Sequence, residues 1–597
     1  MAGTIEVRSP LQGTVVRVAA VGDGVASGRP VAVIESMKME HAVDAPEDVV
    51  VDAVLVAAGD VVAVGDVLAV VVPGVVEASA HATTTPGERP ELAEVRARHD
   101  IGLDPARPDA VERRRRTGQR TARENVDDLV DDGSFVEYGP LVIAAQRRRR
   151  ALDDLIERTP ADGLVGGVGT VDGHPVVAMS YDYTVLAGTQ GLQNHRKKDR
   201  LFEVAEQQRL PIVFFTEGGG GRPGDTDGMG VSGLDCLAFN LFARLSGLVP
   251  LVGITSGRCF AGNAALLGCC DVVIATEGSN IGMGGPAMVE GGGLGVFPPE
   301  AIGPMAVQVP NGVVDLAVAD EAEAVAVARR YLGYFLGSTD GWTAPDPEAA
   351  RGVIPENRLQ VYDVRDALAT IADVGSVLEL RQAFGVGMVT ALIRVEGRPM
   401  GVVANNPTHL AGAIDADGAD KAARFLQLCD AFDLPVLFLC DTPGIMVGPD
   451  AEETALVRHV SRLFVTGANL TVPTGTIILR KGYGLGAQAM AGGSFKAPLF
   501  CVAWPTGELG GMGLEGAVRL GYRKELDAID DPAERERTFQ EMVDRMYEHG
   551  KAVNAASHFE IDDVIDPADS RRWITRTFGA APAPRREGKK RPNIDTW

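Results

Sequence analysis

The sequence predicts a multidomain protein, in which a small all-β domain, a flattened barrel or sandwich, is followed by a linker and two copies of one α/β domain. Three observations lead there. Valine-rich alternation with a 37-residue internal repeat fills residues 1–73, an Ala/Thr/Pro/Glu/Gly stretch fills 74–95, and one set of residues beyond 118 recurs 224 positions later. At 597 residues the chain also exceeds the roughly 250–300 at which a single core stops growing. The expected divisions are 1–73, 74–95, 96–345 and 346–597.

In the first 73 residues, short valine-rich runs alternate with Gly-Asp turns, which is the pattern of short strands. Gly22-Asp23, Val25, Gly28, Val31 and Val33 recur as Gly59-Asp60, Val62, Gly65, Leu68 and Val70, each 37 residues on. Two interlocked halves with pseudo-twofold symmetry explain that spacing. Between them lies Glu35-Ser36-Met37-Lys38-Met39-Glu40. A hairpin here puts Lys38 at an exposed tip between two methionines. An exposed lysine is ordinarily just solvated, but Met-Lys-Met at the centre of a repeated β domain resembles the biotin-attachment site of biotinyl carrier domains. Ser9-Pro10, Gly13-Thr14 and Ala45-Pro46 share in that resemblance, whereas the usual alanine before the first methionine is Ser36. A lipoyl domain has the same fold but normally lacks both methionines.

Residues 74–95 have a linker composition. About 22 residues reach roughly 70 Å extended and about 26 Å as a coil, enough for a carrier that visits two sites.

From about residue 118, apolar strands alternate with amphipathic helices. Val176–Met179, Ile212–Phe215 and Leu251–Ile254 read as buried strands, with a helix over His195–Gln208. Gly173, Pro175, Ala187, Gly188, Lys197, Arg200, Leu210 and Pro211 match Gly397, Pro399, Ala411, Gly412, Lys421, Arg424, Leu434 and Pro435, always 224 apart. Asp132-Gly133-Ser134 with Glu137 matches Val374-Gly375-Ser376 with Glu379 at 242. Duplication accounts for both. Carried forward, the 224 offset sets Gly262-Asn263 on Gly486-Ala487, each after an apolar strand. Backbone N–H groups at such a strand-to-helix turn are ready donors to an oxyanion. One turn alone is ordinary helix entry, but two equivalent turns beside a carrier lysine point to catalysis.

The net charge of −24 excludes a general nucleic-acid binder. The arginine runs 113–116 and 147–150 read as solvated faces or, second, as contacts to an anionic ligand. No run of roughly 18 apolar residues suggests a membrane span, and no signal peptide is recognisable. Seven cysteines without a C-x-x-C pair suggest a reducing cytoplasm and no metal site.

Several segments together resemble the acyl-CoA carboxyltransferase family of biotin-dependent carboxylases, of the β type. They are Gly118–Glu124, Asp132–Phe135, Gly169–Gly173, Asp182–Thr184, Asp415, Lys421–Phe425, Cys429–Phe432, Asp441–Gly444 and Arg480-Lys481. The likeness spans about residues 96–580. It implies two crotonase-like domains and transfer of CO2 from carboxybiotin to the α-carbon of an acyl-CoA, giving a malonyl-CoA-type product. The resemblance further implies that Gly262 and Asn263 stabilise the thioester enolate, while Gly486 and Ala487 face the biotin ureido oxygen. It also implies that biotin is attached to Lys38, with Met37 and Met39 beside it, and that the liberated biotin nitrogen takes the α-proton.

The long turn Glu217–Asp225 and Asn263 depart from short-chain members and look more like the carrier-fused long-chain carboxylases. Arg222 is a candidate at the first pocket, and Ala489, or Gln488 if the register slips by one, at the acyl pocket. No segment remains for a biotin carboxylase, so a separate ATP- and bicarbonate-using subunit is expected. A biotin protein ligase and a hexameric core are expected too. The rival readings are a biotin-dependent decarboxylase or transcarboxylase and, more distantly, a crotonase-type hydratase or isomerase.

Overall fold

The computed structural model describes residues 3–76, 89–228, 235–581 and 593–597. Residues 77–88 of the expected linker lie outside that set. The chain divides into two compact units, Met1–Ala93 and Glu94–Trp597.

In the first unit, eight strands form two four-stranded sheets. The repeat is visible in the backbone. Strands Gly24–Val25 and Pro30–Ser36 recur as Val61–Val62 and Val67–Pro73. Gly22 and Gly59 hold φ of 93° and 95°, and each glycine donates into the opposite half, to Val51 O and Val15 O. Asp23 and Asp60 close equivalent turns by accepting from Ala20 N and Ala57 N. Val31, Val49, Val51, Leu68 and Val71 fill the interior, so alternation along each strand creates one apolar face.

The second unit contains two sheets of like order. The first runs, from one edge, Leu316–Val318, Val272–Thr276, Leu251–Thr255, Ile212–Phe215, His174–Tyr181, Leu164–Val171 and Val136–Glu137. The second runs Asp563–Val564, Phe500–Ala503, Thr474–Tyr483, Val436–Thr442, Arg398–Asn405, Met388–Val395 and Leu378–Leu380, with Glu508–Gly510 added beside Thr474–Tyr483. In each, an antiparallel hairpin leads into parallel strands. The hairpins are 224 apart, and the edge pairings Gly167↔Glu137 and Ala391↔Glu379 carry the 242 offset. Non-glycine residues with positive φ recur in step: Asp172 and Glu396, Ala187 and Ala411, Arg209 and Asp433.

The helix expected at His195–Gln208 begins earlier, at Leu192. Its first free N–H groups find acceptors far away in sequence: Asp225 Oδ2 takes Leu192 N at 2.7 Å and Asp162 Oδ2 takes Asn194 N at 2.8 Å. Its counterpart Ala416–Ala431 is capped locally by Asp415 and is buried nearly all round. The halves are joined by a buried pair, Arg381 Nε to Asp315 Oδ1 at 3.0 Å, and by Arg424 donating to Asp271 O at 2.7 Å.

Candidate active site

At the tip of the carrier hairpin Ser36 pairs with Met39, leaving Met37 and Lys38 as a two-residue turn. Their φ values are 52° and 67°. A tight hairpin needs positive φ at both central positions, and residues other than glycine rarely adopt it. Met37 is 95% exposed and Lys38 is exposed with it. The lysine therefore projects from a rigid sheet with its amine free to be modified, a fit for a covalently carried group.

In the first half, strand Arg258–Phe260 runs into helix Gly262–Gly268 through Ala261, whose φ is 52°. Asn263 is fully buried and all its side-chain capacity is used. Oδ1 accepts from Gln190 Nε2 and Gly220 N, both at 3.1 Å. Nδ2 donates to Gly188 O at 3.3 Å and Thr216 O at 3.2 Å. The asparagine thus ties the turn to the glycine-rich loop after Phe215, leaving backbone N–H groups of the first helical turn without an intrahelical acceptor.

In the second half, strand Thr474–Tyr483 runs into helix Gly484–Ala489. The strand pairings correct the expected register. Ile212 faces Leu251 and Val436 faces Thr474, so the offset falls from 224 to 223 between these strands. It stays at 223 through the turn: Arg258 and Phe260 pair with Asn280 and Gly282, as Lys481 and Tyr483 pair with Glu508 and Gly510. Ala261 then matches Gly484, whose φ is 56°. Gly262-Asn263 therefore correspond to Leu485-Gly486, and Gly486-Ala487 to Asn263-Ala264. The physical cause is a connection between the two strands that is one residue shorter in the second half. Gly486 packs so tightly that a Cβ there would lie 2.6 Å from the carbonyl carbon of Gly444. Ala487 and Ala489 are buried in the core, and Gln488 is exposed.

Arg222 does not present its guanidinium to a ligand. Its side chain is 4% exposed; Nη1 meets Asp162 Oδ1 at 2.5 Å and Nη2 donates to Thr189 O at 2.9 Å. It holds the glycine-rich loop in shape. Glu217 borders a cleft of about 470 Å³ with Gln119, Tyr183 and Arg258. Burial raises its carboxyl pKa against the opposing pull of Arg114, whose Nη2 lies 2.8 Å away. Arg114, from the first arginine run, is accordingly buried and paired, while Arg113, Arg147 and Arg148 are exposed.

Three residues near the first turn were not anticipated. Lys198, Gln190 and Tyr181 form a buried polar chain that ends on Asn263. The only sequence signal for it is a difference between the copies, because Lys198 and Gln190 align with Ala422 and Ile414.

Comparison with known proteins agrees with this architecture. Residues 113–594 match the carboxyl transferase domain family and residues 5–71 the biotin-requiring enzyme family. The methylmalonyl-CoA carboxyltransferase 12S subunit of Propionibacterium freudenreichii subsp. shermanii is 34% identical, covering 83% of this chain and 94% of that protein. The propionyl-CoA carboxylase beta chain of Cereibacter sphaeroides is 32% identical over 79% of this chain and 92% of its own length. Among solved structures, a single-chain, multi-domain long-chain acyl-CoA carboxylase is 59% identical with a TM-score of 0.79. That match covers 96% of this chain, which spans 56% of the larger protein. The hexameric transcarboxylase 12S, with methylmalonyl-CoA bound, matches at 31% identity and a TM-score of 0.74, over 86% of this chain and 99% of that one. The chain therefore belongs to the carboxyl transferase family and is a biotin-dependent acyl-CoA carboxyltransferase that carries its own biotin-carrier domain.

Proposed function

We propose that this chain performs the transfer half-reaction of an acyl-CoA carboxylase, with biotin attached to Lys38. The observation that carries the reading is the presence, in one polypeptide, of an exposed lysine at a hairpin tip in a repeated β domain and two equivalent strand-to-helix turns. Bound biotin supplies a carboxyl group on its ureido ring. Everything else falls to the protein. The α-proton of an acyl thioester is weakly acidic, so negative charge developing on the thioester oxygen needs preorganised donors, and the N–H groups of Gly262 and Asn263 supply them. Charge on the ureido oxygen is met by the equivalent turn, Leu485-Gly486, with Ala487 N–H next in the helix.

With the register at 223, Gln488 replaces Ala489 as the residue we assign to the acyl pocket.

Loading of Lys38 with CO2 is assigned to a separate biotin carboxylase subunit that uses ATP and bicarbonate, and its biotinylation to a biotin protein ligase. Relatives are described as a hexamer and as carboxylase beta chains, which supports a hexameric core. The seven free cysteines fit a reducing compartment, the cytoplasm.

Intact mass tests the carrier assignment: Lys38→Ala must lose the biotin increment, and retention of it refutes the site. The natural complex, assayed for ATP- and bicarbonate-dependent carboxylation of acetyl-, propionyl-, methylcrotonyl- and palmitoyl-CoA, tests the reaction. ATP-independent exchange from a malonyl-type thioester to a keto acid, with no carboxylation, would instead favour the transcarboxylase reading.

A further inference from the structure

Behind the first turn lies a side-chain chain with no equivalent behind the second. Lys198 is fully buried on helix Leu192–Gln208. Its Nζ donates to Tyr181 Oη at 2.9 Å and to Gln190 Oε1 at 2.8 Å, both neutral acceptors, and lies 5.5 Å from the Tyr181 ring centroid. Gln190 is 3% exposed and passes the bond on, Nε2 donating to Asn263 Oδ1 at 3.1 Å. At the corresponding places of the second half stand Asn405, Ala422, Ile414 and Gly486. The backbone around them is nevertheless the same: Gln190 N donates to Gly220 O, and Ile414 N to Gly444 O. The fold itself therefore does not require the polar chain.

An ammonium can only donate, so Lys198 fixes the Gln190 amide with its oxygen toward the lysine and its nitrogen toward Asn263. That nitrogen meets Asn263 Oδ1, whose orientation the Gly220 N–H and the carbonyls of Gly188 and Thr216 already set. The buried charge thereby locks the Gln190 amide against the Asn263 side chain, and so braces the turn carrying the Gly262 and Asn263 N–H groups. Its field acts in the same sense, since a cation in a dry interior favours negative charge nearby.

We infer that Lys198 is a positioning residue for enolate stabilisation at the first turn, acting through Gln190 and Asn263. The inference rests on the oxyanion reading above. The charged and titratable groups around Lys198 are Asp199 on its own helix, Asp162 and Arg222, which pair with each other, and Cys236, whose Sγ contacts His195 Nδ1 at 3.0 Å. Burial lowers the lysine pKa to about 7, and burial, with Lys198 and Arg222 nearby, holds His195 neutral with a pKa of about 3.

The test is binding of two dethia-CoA analogues by calorimetry to the full-length chain. One is a nitroalkane ionised to its nitronate, which carries the enolate charge; the other is the neutral ketone. Wild-type protein should prefer the nitronate. Lys198→Met should weaken nitronate binding by about 10- to 100-fold, a fraction of a lost oxyanion donor, and change ketone binding less than twofold. Referred to the concentration of ionised nitronate, which itself rises with pH, the wild-type affinity for the nitronate should decline as pH rises through about 7, and that decline should be absent in the variant. Equal loss on both analogues, or an undiminished preference, overturns the role of Lys198. A wild-type protein without any nitronate preference overturns the oxyanion reading instead. Should Lys198→Met fail to fold, Gln190→Met breaks the same chain at its middle, with the same expected split and the same refutations.

Discussion

The two halves of the transferase unit share one backbone and differ in what supports it. Both carry an arginine–glutamate pair at matching places, Arg123–Glu137 at 2.9 Å and Arg365–Glu379 at 2.6 Å. Both bury a lysine at matching places, Lys197 and Lys421. Behind the turns, the resemblance ends. Gly220 and Gly444 are equivalent, and each has an N–H that must be satisfied. In the first half Asn263 Oδ1 accepts it from across the turn at 3.1 Å; in the second, Thr442 Oγ1 accepts it locally at 3.1 Å. Gly218, opposite Asn263, leaves the room: a Cβ there would lie 2.2 Å from Asn263 Nδ2. In the second half the bulk is exchanged: threonine stands at 442, the counterpart of Gly218, and glycine at 486, the counterpart of Asn263. Duplication has kept the conformation that aims the N–H groups while the side chains securing it were rebuilt.

Exchanging the residues at the turn should break this most severely. Gly486→Asn gives the second half the first half's residue, and its Cβ would meet the carbonyl carbon of Gly444 at 2.6 Å and its oxygen at 2.9 Å. Backbone cannot yield as a side-chain tip can. Transfer should fall by about 10²–10³, the cost of losing an oxyanion donor, while intact mass shows the carrier domain still biotinylated. Gly262→Ala is the contrasting variant. Its Cβ meets side chains and not backbone, Gln190 at 3.1 Å and Phe239 at 3.2 Å, and needs only a few tenths of an ångström from them, so the loss should stay below about tenfold on the same scale. Equal losses would mean that the two turns are not held in different ways.

A smaller effect is expected from the residues that satisfy the glycine N–H. Asn263→Ala leaves four groups unpaired, Gln190 Nε2 and the backbone of Gly188, Thr216 and Gly220. Thr442→Val removes one hydroxyl that serves Gly444. With about 1–3 kcal/mol for each buried group left unsatisfied, partly relieved by water, Asn263→Ala should cost clearly more in urea unfolding. The reverse order would contradict the packing described here.

How much of this could be read from residues alone follows from what repeats. Glycines and prolines at fixed offsets expose the duplication, because turn chemistry admits few substitutes; Met-Lys-Met exposes the carrier because its neighbours repeat. The one-residue slip before Thr474 is invisible, since few letters match across residues 216–250 and their counterparts. The pairing of Val436 with Thr474, and of Lys481–Tyr483 with Glu508–Gly510, reveals it. Arg222 misleads because its partner Asp162 lies sixty residues away. Lys198 is hidden for another reason: beside Lys197 on an amphipathic helix it reads as one more solvated lysine, and burial depends on the tertiary fold.

The lysines buried in both halves differ in what offsets their burial. Burial lowers both pKa values, Lys197 to about 8 and Lys421 to about 7. Lys197 is the less shifted because Glu137 lies 3.5 Å away, whereas Lys421 Nζ donates to a neutral acceptor, Phe384 O, at 2.9 Å. In the unfolded chain a lysine keeps its proton to about pH 10.4. Between the folded and unfolded values the unfolded state binds more protons, so each lysine makes stability rise with pH across that window. Below the folded value both states are charged and the full burial penalty applies. Lys421→Met should therefore flatten the rise in unfolding free energy between about pH 7 and 10, and Lys197→Met should flatten a shorter stretch from about pH 8. Urea unfolding at closely spaced pH values reads the difference. Identical profiles would mean that Glu137 does not separate the two sites.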